Sequence, residues 1–251
     1  MTHAPAGYTR FSLSGADVVA LGSCADAVRR AFNDRSLYAY AASHPARREL
    51  RGRGAAYAVP LPDGTTRVVV RHSRHGGLLA PVTGDRFLAP TRAPRELDTA
   101  LRLAASGVPT PEVIAYATYP AGGPFRRSDV VTREVIDGRD LSSVLAAGKR
   151  AVDVTASLCA TAELLVALER AGARHPDLNI ANVLIVNDGG VPRALVLDVD
   201  RVIFGTPGDR GIGAANFRRL LRSAQKLRAR RQVAVTDAEL SALAAATGHA
   251  T

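Results

Sequence analysis

His175, Asp177, Asn182 and Asp198 are the residues whose types and spacing could do chemistry. They lie in His175-Pro176-Asp177-Leu178-Asn179-Ile180-Ala181-Asn182, followed by the apolar run Val183-Leu184-Ile185-Val186 and, after a turn, by Leu197-Asp198-Val199-Asp200. Polar side chains beside the ends of two apolar strands can converge on one point. Phosphoryl transfer needs such a point: a carboxylate to orient an attacking hydroxyl and take its proton, and oxygen ligands to hold Mg²⁺ against nucleotide phosphates. Asp177 is the candidate base, and Asn182 and Asp198 are the candidate metal ligands. Magnesium keeps water and phosphate oxygens in its shell, so one Asp and one Asn suffice. Each residue also has an ordinary reading. His175 could brace the loop through backbone carbonyls, and Asp177, Asn182 and Asp198 could each be a cap or turn former.

Upstream, Gly52 and Gly54 stand at the turn into a strand, where glycine lets backbone amides approach phosphates; a plain turn would use them as well. Phosphoryl transfer of this kind also needs a cation on a strand of the β-rich region, usually lysine, and a carboxylate on the next helix to position it. The two lysines, Lys149 and Lys226, both lie downstream. Arg71, closing Val68-Val69-Val70-Arg71, takes that place and Glu96 is the matching acid, with a surface ion pair as the alternative.

The elements that must position these residues follow from pattern. Ala55–Val59 and Thr65–Arg71 flank Pro62-Asp63-Gly64 and read as a β-hairpin. A helix is expected over Pro94–Ser106, with Leu97, Leu101 and Ala104 as its apolar stripe and Gly107 as its stop. Strands are expected at Val113–Tyr119 and Asp129–Ile136, then a short helix at Leu141–Ala147. A long helix over Val152–Arg170 should bury Leu158, Leu164, Leu165 and Leu168 and end at Gly172. Strands at Val183–Val186 and Ala194–Leu197 and helices at Ala214–Arg230 and Thr236–Ala246 complete the chain. Strands with one helix, then mostly helix, make an α+β arrangement of a small β-rich lobe and a larger helical lobe with a cleft between them.

The composition is compatible with this. The 251 residues are 47% hydrophobic and 22% charged, an ordinary globular balance, and long enough to bury a core without disulfides. Cys24 and Cys159 lack metal-site spacing, which favours a reducing compartment. The longest stretch free of charged residues, Val113–Phe125, has 13 residues and contains two prolines and two glycines, so no membrane helix is expected. The opening Met1-Thr2-His3-Ala4-Pro5 has no apolar signal core, which points away from secretion. The net charge of +10 rests almost wholly on 31 arginines. It suits polyanions in general, although arginine with abundant alanine also fits GC-rich coding.

The His-x-Asp-x4-Asn spacing is that of a kinase catalytic loop. Together with Gly52-Arg53-Gly54, Val70-Arg71-His72, Arg74-His75-Gly76-Gly77-Leu78, Arg95-Glu96-Leu97 ahead of Gly107-Val108-Pro109-Thr110-Pro111, and the Leu-Asp-x-Asp ending, it resembles the bacterial 3-deoxy-D-manno-octulosonic acid (Kdo) kinases of lipopolysaccharide synthesis. These are related to the core heptose kinases. The resemblance runs from Gly52 to Lys226 and includes Asn216-Phe217-Arg218-Arg219-Leu220-Leu221-Arg222-Ser223. It implies a bilobal protein-kinase-like fold, here residues 1–136 and 137–251. It also implies ATP-dependent, Mg²⁺-assisted phosphorylation of a Kdo hydroxyl, expected to be the 4-hydroxyl, on a Kdo-bearing lipid A precursor.

By position, the resemblance makes Asp177 the base, Asn182 and Asp198 the Mg²⁺ ligands, Arg71 and Glu96 the phosphate-positioning pair, and Gly52–Gly54 the phosphate loop. Glu134 to Asp137, Ile136 included, would be the hinge whose backbone meets adenine. Arg74, Gly76 and Gly77 are suited to an anionic acceptor. Arg-His is itself a habit of that family where other kinases carry lysine. Val199 replaces an aromatic and Pro176 a small polar residue. The implied setting is the cytoplasmic face of the inner membrane, with an anionic membrane surface as peripheral partner and no nucleic acid. A kinase for another hydroxyl (heptose, aminoglycoside, protein Ser or Tyr) and a nucleotide-binding pseudokinase adaptor are the alternatives. Asp177, Asn182 and Asp198 together speak against the pseudokinase, and the absence of clustered aromatics beside the basic residues speaks against a single-strand platform.

Overall fold

A computed structural model of the chain describes residues 4–32, 36–50, 55–73, 85–147 and 154–249. Two units divide it, one of residues 1–98 with 112–134 and the other of residues 99–111 with 135–251.

The first unit is built on an antiparallel sheet. Its strands are β1 (Tyr8–Leu13), β2 (Ala16–Leu21), β3 (Arg48–Leu50), β4 (Ala56–Pro60), β5 (Arg67–His72), β6 (Phe87–Leu88), β7 (Val113–Pro120) and β8 (Phe125–Arg133). They lie in the order β1-β2-β7-β8-β5-β4-β3, with β6 also on β8. The expected hairpin is β4 and β5. Asp63 closes its turn by accepting from the N–H groups of Thr65 (3.0 Å) and Thr66 (2.8 Å), bonds that also hold its carboxyl below the usual carboxylate range. Val59, Val68 and Val70 point into a core shared with Val18, Ala20, Ala115, Ala117 and Val131. α1 (Ala25–Ala31) adds Val28 and Ala31 to it, and α2 (Leu37–Ser43) adds Leu37 and Ala41.

Among the described residues, three helices therefore serve a region that the sequence reads as strands with one helix: α1, α2 and α3 (Ala93–Ala105). α1 and α2 have seven residues each, too few for a 3.6-residue period to stand out. The stripe on α3 also differs from expectation. Ala93, Glu96, Leu97, Ala100 and Leu103 are buried, while Leu101 is half-buried and Ala104 exposed. The 3.6-residue period runs through Glu96, which puts that carboxylate on the covered face. Gly107 ends the helix as expected, at φ +73, in a Schellman motif: its N–H reaches the Ala104 carbonyl (3.0 Å), and the Val108 N–H reaches that of Leu103 (2.9 Å). β8 stops at Arg133 rather than Ile136, because the Asp137-Gly138 turn already claims the Val135 carbonyl (3.2 Å from the Gly138 N).

The second unit is mainly helical: α4 (Leu141–Ala147), α5 (Val154–Arg170), α6 (Arg210–Ala229) and α7 (Asp237–Thr247). Its strands are β9 (Arg139–Asp140), β10 (Ala173–Arg174), β11 (Val183–Asp188), β12 (Val191–Val196) and β13 (Ile203–Phe204), in two small sheets ordered β12-β11-β9 and β10-β13. α5 is the hub, packed against β12, α6 and α7, and it buries Leu158, Leu164, Leu165 and Leu168 as its pattern requires. Gly172 ends it at φ +63, where a Cβ would stand 2.6 Å from the Gly205 carbonyl oxygen. α6 begins four residues before the expected Ala214, because the Asp209 side chain caps it by accepting from the Gly211 N–H (2.7 Å).

Candidate active site

β10 delivers the chain to His175, which is buried and held from three sides. The Asn216 side chain of α6, itself fully buried, accepts from the His175 N–H (2.9 Å) and donates to the Ala173 carbonyl (2.8 Å). The imidazole Nδ1 faces the Asp177 N–H (3.3 Å), and Nε2 faces the Leu197 carbonyl (3.0 Å). An N–H only donates and a carbonyl only accepts, so these partners select the neutral tautomer with the proton on Nε2. His175 is thus the brace between the loop and the end of β12.

Beyond it, Leu178 and Ile180 are buried and anchor the loop. Asn179 caps a 3₁₀ turn over Ile180–Asn182, its Oδ1 accepting from the Ala181 N–H (2.9 Å). The amides of Asn179 (2.8 Å) and Asn182 (3.1 Å) both donate to the Asp177 carbonyl. The Asp177 carboxylate therefore projects from a backbone fixed at both ends. Its Oδ2 accepts from Arg201 (2.7 Å) and its Oδ1 from Arg219 (2.8 Å). Neither arginine was singled out from sequence: Arg201 directly follows Asp200, and Arg219 belongs to the Asn216–Ser223 segment, so only proximity in space gives them a role.

Asn182 leads into β11, whose register with β12 pairs Val183 with Val196. One step further the Leu197 N–H donates to the Asn182 carbonyl (2.9 Å), which sets Asp198 beside the His175–Asn182 loop. Asp198 sits at φ +58, in the left-handed region, at the start of a 3₁₀ turn over Val199–Arg201. The Asn182 amide nitrogen is engaged by Asp177, which leaves its Oδ1 as the oxygen this side chain can offer a cation. One amide oxygen and one carboxylate suit Mg²⁺, which completes its shell with phosphate and water. The loop and hairpin thus bring Asp177, Asn182 and Asp198 together within the second unit.

In the first unit, Arg71 on β5 and Glu96 on α3 form an ion pair, with Glu96 nearly covered and Arg71 about a third exposed. Next to Arg71 lies a network that the sequence did not announce. His72 pairs directly with Asp129 across β5 and β8, its Nδ1 lying 2.6 Å from Asp129 Oδ1 and its Nε2 3.0 Å from Asp85 Oδ2. Asp129 is fully buried and also accepts from the Tyr119 hydroxyl (2.7 Å) and the Tyr38 N–H (2.9 Å). Burial by itself lowers the His72 pKa, but the hydrogen bonds and charges of Asp129 and then Asp85 outweigh it, so the net shift is upward. Glu134 turns its carboxylate into this unit, onto Arg48 (2.6 Å) and Arg67 (2.6 Å), and its N–H onto the Arg67 carbonyl (3.0 Å). Ile136 is exposed. Gly52, Gly54, Arg74, Gly76 and Gly77 lie outside the described residues.

WaaP in complex with acyl carrier protein matches 88% of this chain and 85% of its own, with a TM-score of 0.55 at 19% identity. The fold is accordingly the expected α+β, protein-kinase-like one. A 3-deoxy-D-manno-octulosonic acid kinase of Vibrio parahaemolyticus is 30% identical over 72% of this chain and 74% of that protein. One of Xanthomonas oryzae pv. oryzae is 33% identical over 72% and 70%. The model of the lipopolysaccharide kinase (Kdo/WaaP) family matches residues 41–246. The chain belongs to this family and is a phosphotransferase acting on a hydroxyl. Among the described residues no helix is long and apolar enough to cross a membrane.

Proposed function

We propose that the chain transfers the γ-phosphoryl group of ATP to a hydroxyl of Kdo, the 4-hydroxyl, on a Kdo-bearing lipid A precursor at the cytoplasmic membrane face. Asp177 accepts the proton of the attacking hydroxyl while that oxygen bonds to the γ-phosphorus and ADP leaves. Asn182 and Asp198 hold Mg²⁺, which when bound neutralises charge on the phosphate oxygens. Arg71, kept in place by Glu96, holds the nucleotide phosphates. Gly52 and Gly54 cover those phosphates, and the backbone of Glu134 and Ile136 meets adenine. The first unit is then the nucleotide lobe, and the second carries the base and the metal ligands. The observation that carries the reading is the loop–hairpin unit in which Asp177 projects from a backbone held by His175, Asn179 and Asn182, with Asp198 set alongside.

The test is incubation with Mg²⁺-ATP and a Kdo-bearing lipid A precursor, followed by mass analysis of the lipid. A phosphate increment on the sugar is expected, with the rate about 100- to 10,000-fold lower in Asp177→Asn. No increment with the wild type, or an equal rate in the variant, refutes the reading.

A further inference from the structure

Beside the catalytic loop the second unit has a pocket of about 290 Å³, lined by Arg174, His175 and Pro176 from the loop side and by Arg218, Arg219 and Arg222 from α6. On a helix, residues 218, 219 and 222 share one face. Among the described residues, the side chains of Arg174, Arg218 and Arg222 make no ion pair or hydrogen bond. The pocket therefore gathers three uncompensated guanidinium groups, an arrangement that repels itself and that an anion would relieve. Arg219, the fourth, is committed to Asp177 Oδ1 at 2.8 Å.

We propose that this pocket seats the carboxylate of the sugar acceptor, gripped by Arg218, Arg222 and Arg174, with Arg219 shared between that carboxylate and Asp177. The inference rests on the proposed role of Asp177 and names the element that presents the acceptor to it. Guanidinium forks match a carboxylate's two oxygens. The volume lies at the lower end of the ~300–1,000 Å³ of small-molecule sites, the size of one sugar-acid unit rather than a whole glycolipid. His175 and Pro176 wall the pocket, and Asp177 follows directly in the chain, so a sugar held there has its hydroxyls near the base. The Asp177 carboxylate has both oxygens on arginines. An anion that draws Arg219 toward itself frees Oδ1 to accept from the incoming hydroxyl, which couples acceptor binding to the readiness of the base.

The test separates this inference from the proposed reaction by measuring binding without turnover. Free Kdo and its methyl ester, in which the carboxylate is masked, are titrated into wild type and Arg218→Gln/Arg222→Gln by calorimetry or ligand-observed NMR. The acid is expected to bind wild type at least about tenfold more tightly than the ester, and the double variant to lose that preference, as removal of charge-assisted hydrogen bonds requires. Lipid A precursor without Kdo, which offers phosphate alone, is the second ligand. Arginine-dependent binding of that lipid, with none of the free acid, assigns the pocket to phosphate and overturns the proposal. Equal binding of acid and ester, or wild-type binding by the double variant, also overturns it. In turnover, the double variant should raise the acceptor KM at least about tenfold and leave the ATP KM and the melting temperature unchanged. Wild type that binds the acid but transfers no phosphate refutes the reaction and leaves the pocket assignment standing.

Discussion

Replacing His72 with glutamine tests the electrostatics of the first unit through a pH dependence whose sign is fixed in advance. Both ring nitrogens face carboxylates, Asp129 at 2.6 Å and Asp85 at 3.0 Å. A carboxylate oxygen accepts from a ring N–H, so with a carboxylate at each nitrogen the site favours the doubly protonated, imidazolium form of His72. Its pKa in the folded protein is raised above the ordinary value of about 6.5. The stabilisation is then complete below pH about 6.5, and it is lost as pH rises from there through the raised native value. In that window the folded state holds one proton that the unfolded state has released, so wild type loses at most about 1.4 kcal/mol per pH unit. For a chain of this length that is roughly 3–5 °C in Tm per unit. Glutamine does not titrate. The other ionisable groups are common to both proteins, and the lost ring contact with Tyr38 adds a constant offset. The assay is thermal or urea unfolding of wild type and His72→Gln from pH 5.5 to 8.5 at constant ionic strength. The stability gap should be widest at the acid end and narrow above pH 6.5. A gap that stays constant, or widens with pH, refutes an imidazolium clamped between two carboxylates.

Two further substitutions address the site and its scaffold. Glu96→Gln removes the charge that positions Arg71, and loss of one charged hydrogen bond of this kind should lower kcat/KM for ATP about 10- to 100-fold while acceptor KM holds. A change confined to the acceptor side would contradict the proposed phosphate-positioning role. Gly172→Ala adds a Cβ at φ +63, 2.6 Å from the Gly205 oxygen and 2.8 Å from Thr206 backbone atoms. The left-handed conformation and the clash together should cost about 2–4 kcal/mol, read as a Tm lower by roughly 5–15 °C. An unchanged Tm would mean that the α5–β10 junction relaxes freely.

Features encoded locally were legible in the residues. The Asp63 turn, the Gly107 and Gly172 stops, the buried leucines of α5 and the loop–hairpin around Asp177 each depend on neighbours in the chain, so spacing and residue type suffice to read them. The β1–β2 hairpin was missed although Ser14-Gly15, both at positive φ, marks a two-residue turn. β1 is a half-exposed edge strand with mixed polarity, which weakens the alternation that signals a strand. On α3 Leu97 is buried as its spacing predicts, but Leu103 rather than Leu101 continues the covered face, because the two compete on apolarity and only packing shows which is covered.

By itself the sequence determined that Asp177, Asn182 and Asp198, the residues proposed to carry the chemistry, lie on one short loop and the hairpin behind it. Arg71 and Glu96, 25 residues apart, could be paired only by role. Tertiary structure decided the rest: that Glu96 turns to the covered face of α3 to meet Arg71, that Asp129 meets His72 across two strands, and that Arg201 and Arg219 converge on Asp177 from 24 and 42 residues away. It also gathered Arg174 with Arg218 and Arg222, turning part of a diffuse charge of +10 into a pocket. Such long-range ion pairs leave no periodic trace in a chain with 31 arginines, because their energy depends on separation in space, which only the fold sets.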